Sequence, residues 1–402
     1  MTKEELWTLG LDTIRELETE RGILASGEEE IYGCIFGRDS LITSLKLLKT
    51  YEKTGDTYFL SLVKKILINL AKLQGQVSNI ESGEELGKII HEYRENNHEH
   101  LTGRADKPWY LYSDDTMRNY DSVDSTSLFL IAVSKYVNIS ADKEFASEIE
   151  PYVELSLEWL CSCLEADERG FVSYQFHPDR KFGGLVTQSW MDSYESIFHE
   201  DGTLTPYPIA PAEVQAYAYC ALRLWGLDHE ADKLKERFNK YFVINEGEFI
   251  IAFALDGKGF PMKSLRSSIG HILWASLNKD SILDSVYIPK LVGLLLSPDL
   301  FEPNAGVRTL SKLSSHYDPM SYHNGSIWPH DSAIIAEGLN NFGYFNEAEM
   351  VRKALTQSWG HFKTPIELFV FKEGQFSEYL SSAGQKACLK QAWSAASILS
   401  EL

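Results

Sequence analysis

Residues 38–74, RDSLITSLKLLKTYEKTGDTYFLSLVKKILINLAKLQ, decide the fold. Apolar residues return every three or four positions on both sides of Thr54-Gly55-Asp56. In the second half Phe59, Leu62, Val63, Ile66, Leu67 and Leu70 make one stripe. That period lines apolar side chains along one face of a helix. Gly55 followed by Asp56 reads as a helix end and then a new N-cap. Two helices joined by so short a turn run antiparallel and pack as a hairpin.

Outward from this hairpin the pattern repeats. Stripes run over 4–22, 38–53, 57–74, 123–138, 141–165, 210–225, 229–241, 267–278, 281–296, 328–342, 345–359 and 386–401, which predicts twelve helices. The one strand signal is 242–260, FVINEGEFIIAFALDGKGF, where β-branched residues alternate before an Asp256-Gly257 turn. Connections near 54–56, 139–140, 226–228, 279–280 and 343–344 are tight. Those at 23–37, 75–122, 166–209, 242–266, 297–327 and 360–385 are long, and the two kinds alternate. Successive connections between antiparallel helices fall on opposite ends, so every long loop is expected on one end. The expected fold is all-α: a closed toroid of six helical hairpins over 1–402 as one domain, with a small β-hairpin insertion near 242–260. An open solenoid fits the helices too, but gives less reason for all the elaboration to share one end.

The chain has 402 residues, 44% of them apolar, enough for a large core. Lys and Arg number 38 against 58 Asp and Glu, a net charge of −20 without a dense basic patch. Nucleic acid and anionic membrane surfaces are therefore not expected partners. The N-terminal MTKEELWTLGLDTIRELETE is amphipathic and lacks the apolar run of a signal peptide. No stretch reaches the roughly 18–20 apolar residues of a membrane span. The five Cys, with Cys161 and Cys163 on different helix faces, suit idle thiols in a reducing compartment. A cytoplasmic location is expected, with the oligomeric state open.

Long loops in a compact domain are where function gathers. The richest is 187–215, TQSWMDSYESIFHEDGTLTPYPIAPAEVQ, which places Trp190, Asp192, Tyr194, Glu195, His199, Glu200 and Asp201 before a helix that opens with Glu213. Aromatic faces cover the apolar face of a pyranose, and an apolar wall raises the pKa of a neighbouring acid. Other long loops bring Arg38-Asp39, then His91 and Glu92 in GKIIHEYR, then His271 and Trp274 in SSIGHILWA. The fifth holds Tyr322, His323, Asn324, Trp328 and His330, and the sixth Glu367 and Glu378. His91-Glu92 lacks the second His of a zincin helix, and His98 and His100 read as solvated loop residues, so no metal is expected. No P-loop or GxGxxG occurs, so no nucleotide cofactor is expected. Asp192 and a C-terminal Glu at one pocket would form the carboxyl pair that glycoside hydrolysis needs.

With IFGRDSLIT, GKIIHEYR, SVDSTSLFL, QSWMDS, IFHEDG, PIAPAEVQAYAY, GHILWA, GVRTLS, YDPMSYHNGSIWPHDSAIIAEGL, IELF and QAWSAAS assembled, the chain resembles the glucosidase domain of bacterial and archaeal glycogen-debranching enzymes, the amylo-α-1,6-glucosidase family. The resemblance spans nearly the whole chain. It implies an (α/α)6 barrel, an inverting mechanism on α-linked glucosides, a general acid at Asp192 of the W-x-D motif, and a general base at Glu367. Arg38, Asp39, His91, Glu92, Trp190, Glu213, Tyr322, His323, Asn324 and Trp328 would bind the sugar. The chain departs from the family's P-E-L motif in reading Pro365-Ile366-Glu367-Leu368. Glu378 in SEYL resembles instead the base position of alkaline and neutral invertases. No β-rich domain precedes the helices, which argues for a short or soluble substrate such as sucrose, a glucosylglycerate-type solute or a short oligosaccharide. From another class, a sugar epimerase on the same toroid would use His271 and His323 as its acid and base.

Overall fold

The computed structural model describes residues 1–402. Twelve principal helices follow one another: α1 (Lys3–Leu17), α2 (Gly37–Thr54), α3 (Thr57–Lys72), α4 (Ser125–Ser140), α5 (Lys143–Ala166), α6 (Ala212–Leu224), α7 (Asp228–Tyr241), α8 (His271–Trp274), α9 (Ile288–Leu295), α10 (Pro329–Asn341), α11 (Phe345–Phe362) and α12 (Ala392–Glu401). The even-numbered helices pack each against the next, and α12 returns to α2, which closes a ring. The odd-numbered helices lie outside: α3 on α2, α5 on α4, α7 on α6, α11 on α10, and α1 on α12. Burial follows this division. In α4 every residue from Ser125 to Ser134 is buried, whereas α7 buries only Ala231, Leu234 and Phe238, the single stripe of a surface helix.

Four of the five tight turns form close to where the sequence places them, but the one expected at 279–280 is replaced by a long connection, 275–287, between α8 and α9. Gly55 takes a left-handed φ of +71° after α2, and the Asp56 side chain then accepts from Tyr58 N at 3.0 Å to start α3. Asp142 caps α5 in the same way through Phe145 N, at 3.0 Å.

Other expectations are corrected. The eighth helix shrinks from 267–278 to a 3-10 turn at Ser267–Gly270 plus the short α8, and the last starts at Ala392 rather than near 386. Residues before 392 are drawn into the loops instead: Cys388 N donates to Glu367 Oε2 at 2.8 Å, and Gln391 N to Pro365 O at 2.9 Å. The helix expected to run to residue 22 stops at Leu17, because Glu18–Thr19 pairs with Gly22–Ile23. Strand is also more widespread than 242–260. The fold is 46% helix and 13% strand, the latter in six small sheets. The expected hairpin is present as Val243–Ile244 on Ile250–Ile251. Next to it, Ala254–Leu255 pairs with both Pro261–Met262 and Ala210–Pro211. Ile35–Phe36, Glu92–Arg94 and Met117–Asn119 form another sheet just before α2 and α4. Here Gly37 is required, since a Cβ at that position would sit 2.0 Å from Ile90 O.

Away from the long loops, the ring is tied by buried charge. Lys46 on α2 has no exposed side-chain surface and donates to Ala333 O (3.1 Å) and Glu337 Oε2 (2.8 Å) on α10, and to Glu401 Oε1 (3.5 Å) on α12. Lys49 and Arg352 also hold Glu401, at 2.6 and 2.9 Å. Burial alone would raise the Glu337 carboxyl, but Lys46 and Lys49 hold it well below the usual range. No helix is long and apolar enough to cross a membrane.

Candidate active site

The N-terminal ends of the six ring helices meet at the long-loop end. Each delivers polar residues from its first turn or cap: Arg38 and Asp39 from α2, Asp124 from α4, Glu213 from α6, His271 from α8, Trp328, His330 and Asp331 from α10, and Gln391 and Trp393 from α12. First-turn acids are favoured by the helix dipole, which is why so many carboxyls converge.

Between these ends lies a cavity of about 260 Å³. It brings together ten of the twelve residues expected from sequence: Arg38, Asp39, His91, Glu92, Trp190, Asp192, Tyr322, His323, Trp328 and Glu367. Glu213 and Asn324 are not brought there. Glu213 lies in a separate small void beside Arg266, and Asn324 accepts from Arg266 Nη2 at 2.8 Å and donates to Glu195 O, a scaffold under the 193–196 turn. Glu378 is exposed on the Gln375–Glu378 strand, away from the cavity, so Glu367 alone of the two glutamates reaches it.

Trp190 is the floor, with 1% exposure. Its ring stacks on His271 at 5.8 Å and meets the edges of His323, Trp328 and His330 at 5.5, 5.7 and 5.1 Å. His271 therefore lies behind this tryptophan, held by Tyr217 and by Asp331 at 2.7 Å, and does not line the cavity. The His271–His323 pair that an epimerase would need is split by an indole ring. Burial lowers the pKa of His91, His323 and His330 well below the ordinary imidazole value, so these rings are neutral.

Arg38 organises one wall. Its Nε donates to Asp124 Oδ2 at 2.6 Å and its Nη1 to Asp192 Oδ2 at 3.1 Å. Ser193 N and Oγ both reach His323 Nδ1, at 3.3 and 2.9 Å, and this fixes the turn that carries Asp192. Across the cavity, Glu367 accepts from Tyr322 Oη on one oxygen and from Cys388 N on the other. Burial raises Asp192 to about 6 and Glu367 to about 7. Asp39 faces both carboxyls, and burial first, with Asp192 and Glu367 adding to it against Arg38, raises it to about 8.

That shift has a sign that can be read in stability. Between the unfolded value of roughly 3.9 and the folded value of about 8, the native state binds the extra proton, so stability falls as pH rises. The slope is up to ~1.4 kcal/mol per pH unit. Asp39→Asn is expected to raise Tm over wild type by a margin that widens from pH 5 to pH 8. A margin that does not vary with pH would mean that Asp39 titrates as an ordinary carboxyl.

Sequence reasoning missed Tyr32, Gln385, Arg104 and Trp109, all of which line the cavity, and gave Gln391 and Trp393 no role. Asp124 lies in a quoted motif, but only the Arg38 contact gives it a part in the site. The others sit in loops without periodicity, and only the fold brings them in.

Six polar atoms on this cavity are buried and unpartnered: Arg38 Nη2, His91 Nδ1, Trp190 Nε1, His323 Nε2, Gln391 Oε1 and Trp393 Nε1. Such atoms number 23 in the chain, and six of them gather on this one cavity, as expected of a site for a ligand rich in donors and acceptors. A family model described as amylo-alpha-1,6-glucosidase matches residues 108–400. The chain belongs to the amylo-alpha-1,6-glucosidase family. It is a glycoside hydrolase, and its substrates are carbohydrates. No curated protein sequence matches the chain significantly. Among solved structures it is similar to the GH63 mannosylglycerate hydrolase of Thermus thermophilus in complex with Tris and D-glycerate, at 13% identity and TM-score 0.66, covering 98% of this chain and 99% of that one. The same hydrolase in complex with glucose gives TM-score 0.64 at 13% identity, again over 98% and 99%. A structure named as a wild-type glycosidase gives TM-score 0.54 at 11% identity, over 99% and 96%. At such identities the likeness is one of fold, and family membership rests on the amylo-alpha-1,6-glucosidase match.

Proposed function

We propose that the ring is the inner wall of an (α/α)6 barrel within one catalytic domain, and that this family member is an inverting α-glucosidase acting on a short soluble glucoside. The observation that supports it most is the set of six unpartnered polar atoms around a cavity sized for one sugar ring, with Asp192 and Glu367 on its walls. Asp192 protonates the glycosidic oxygen. Only its Oδ2 is tied to Arg38, its side chain is 26% exposed, and Oδ1 is free to carry the proton. Glu367 activates water: Tyr322 Oη and Cys388 N donate to its two oxygens and offset part of the burial that raises it to about 7, and they fix the carboxyl in place. In an inverting enzyme the two carboxyls stand roughly 6.5–9.5 Å apart, with that water between. Proton NMR during hydrolysis of a panel of α-glucosides tests the proposal: β-glucose appears first under inversion, and α-glucose first would overturn it.

A second reading concerns the leaving half of the substrate. Arg104 lines the cavity mouth, is exposed, and uses only its Nε, which donates to His100 O at 3.1 Å. Its two Nη groups are free to grip a carboxylate. The mannosylglycerate hydrolase similar in fold holds D-glycerate, an acid of that kind. On this reading Arg104→Ala raises KM for α-glucosylglycerate about tenfold, the effect of one lost charged contact worth ~1.4 kcal/mol. KM for α-glucosylglycerol stays unchanged. Equal effects on both glucosides would reject a carboxylate-bearing leaving group.

A further inference from the structure

A larger groove, of about 910 Å³, opens on the same end of the ring and shares no lining residue with the catalytic cavity. Its walls come from residues 78–88, from the last turns of α5 with the loop that follows, and from the turn at 257–258. Its volume lies within the range usual for small-molecule sites. Six of its nine charged side chains pair: Lys88 with Glu85 at 3.0 Å, Arg169 with Asp167 at 2.9 Å, and Arg180 with Asp121 at 2.7 Å, while Glu84, Glu168 and Lys258 make no ion pair. With five acids against four bases the groove carries little net charge and offers donors and acceptors side by side. One of its polar atoms is buried and without a partner: Arg180, 7% exposed, leaves Nε free, a donor suited to a ligand hydroxyl. Tyr174, 3% exposed, lies beside Thr187 and the Gln188 backbone at the groove floor.

The groove floor is also the back of the catalytic wall. Asp121 Oδ2 accepts from Leu185 N at 2.9 Å, Gln188 Nε2 donates to Leu185 O at 3.2 Å, and Val123 N donates to Gln188 O at 3.0 Å. Leu185 lines the catalytic cavity, while Asp121 and Gln188 line the groove. Asp192 follows four residues after Gln188 on the same segment.

We infer that this groove is a second carbohydrate-binding site for a short neutral oligosaccharide, whose occupancy steadies the segment 185–192 that carries Asp192. The choice of ligand class rests on the carbohydrate reading of the catalytic cavity; the existence of the site rests on the groove itself. The test uses calorimetric titration of maltotetraose into Asp192→Asn protein, which does not consume it, with and without Ser78→Trp. Ser78 is exposed on the groove rim, so the indole fills the groove without entering the core. One binding event is expected to disappear with Ser78→Trp and to weaken about tenfold, the loss of ~1.4 kcal/mol, with Gln175→Ala, since the exposed Gln175 amide also lines the groove. Amide exchange at 185–190 is expected to slow on maltotetraose addition only when Ser78 is intact. If every event survives Ser78→Trp, the binding belongs to the catalytic cavity and the inference is overturned, as it is by no binding at all. Inorganic phosphate binding that Ser78→Trp removes, in place of sugar binding, overturns the assignment to a neutral ligand. If the catalytic cavity takes no glucan but the Ser78-dependent event persists, the groove stands and the α-glucosidase reading falls.

Discussion

Asp192→Asn is expected to lower kcat on ordinary α-glucosides about 10³-fold, the usual contribution of a positioned general acid, and to spare α-glucosyl fluoride. Fluoride departs without being protonated, so only loss of the acid discriminates between the two substrates. Glu367→Gln, by contrast, is expected to lose activity on both, because water still has to be deprotonated whatever leaves. The reverse pattern would exchange the two roles, and equal losses in both variants on both substrates would remove the acid–base division altogether. In wild type the pH profile of kcat/KM is expected to be a narrow bell. The active form, with Asp192 protonated and Glu367 ionised, is the minor one of the two singly protonated forms, because Glu367 holds its proton more tightly. With Asp192 raised to about 6 and Glu367 to about 7, the two limbs lie close together and belong to the pair rather than to either residue. The variant Asp192→Asn leaves a single limb.

Lys46→Met is expected to destabilise the fold by about 3 kcal/mol, measured by denaturant unfolding. The magnitude follows from the cost of removing one partner of a buried ion pair. Methionine matches the length of the lysine stem but leaves Glu337 with Lys49 alone at 3.3 Å, and takes the side-chain donor from Ala333 O. Lys49 and Arg352 still hold Glu401, which keeps the loss from being larger. The double variant Lys46→Met, Glu337→Leu removes both the charge and its partner, and is expected to recover part of the loss. No change in the single variant would mean that the ring closes on apolar contact alone.

Much of the ring is legible in the sequence, and the reasons are physical. Helix hairpins such as α2–α3 announce themselves, because their stripes are long and their turns hold Gly and Asp. The two-residue ladders are invisible there, since a pair of residues has no period to detect. Helix α8 reads longer than it is because SSIGHILWA is apolar enough for a helix, whereas its 3-10 start and the packing of Gly270 on Ile335 keep it short. In the site, Asp192 and Glu367 stand out as acids among rings in long loops. Glu213 and Asn324 stand out in the same way, and only the position of Arg266 separates them from the cavity. Tyr32 and Arg104 carry no such signal, because nothing local marks a residue that matters only once distant loops meet.

The closure of α12 onto α2 has a kinetic side. Lys46 and Glu401 stand 355 positions apart, and Gln391 and Trp393 of the cavity arrive with the same last helix. A chain emerging from the ribosome can stack its hairpins in turn, but an open arc of five hairpins leaves the first turns of α2 and α10 without their neighbour. The entropy of joining such distant segments has to be met before the contact is made. Refolding should therefore end in a slow step that restores catalysis and the α12 contacts together, well after most of the helical signal has returned.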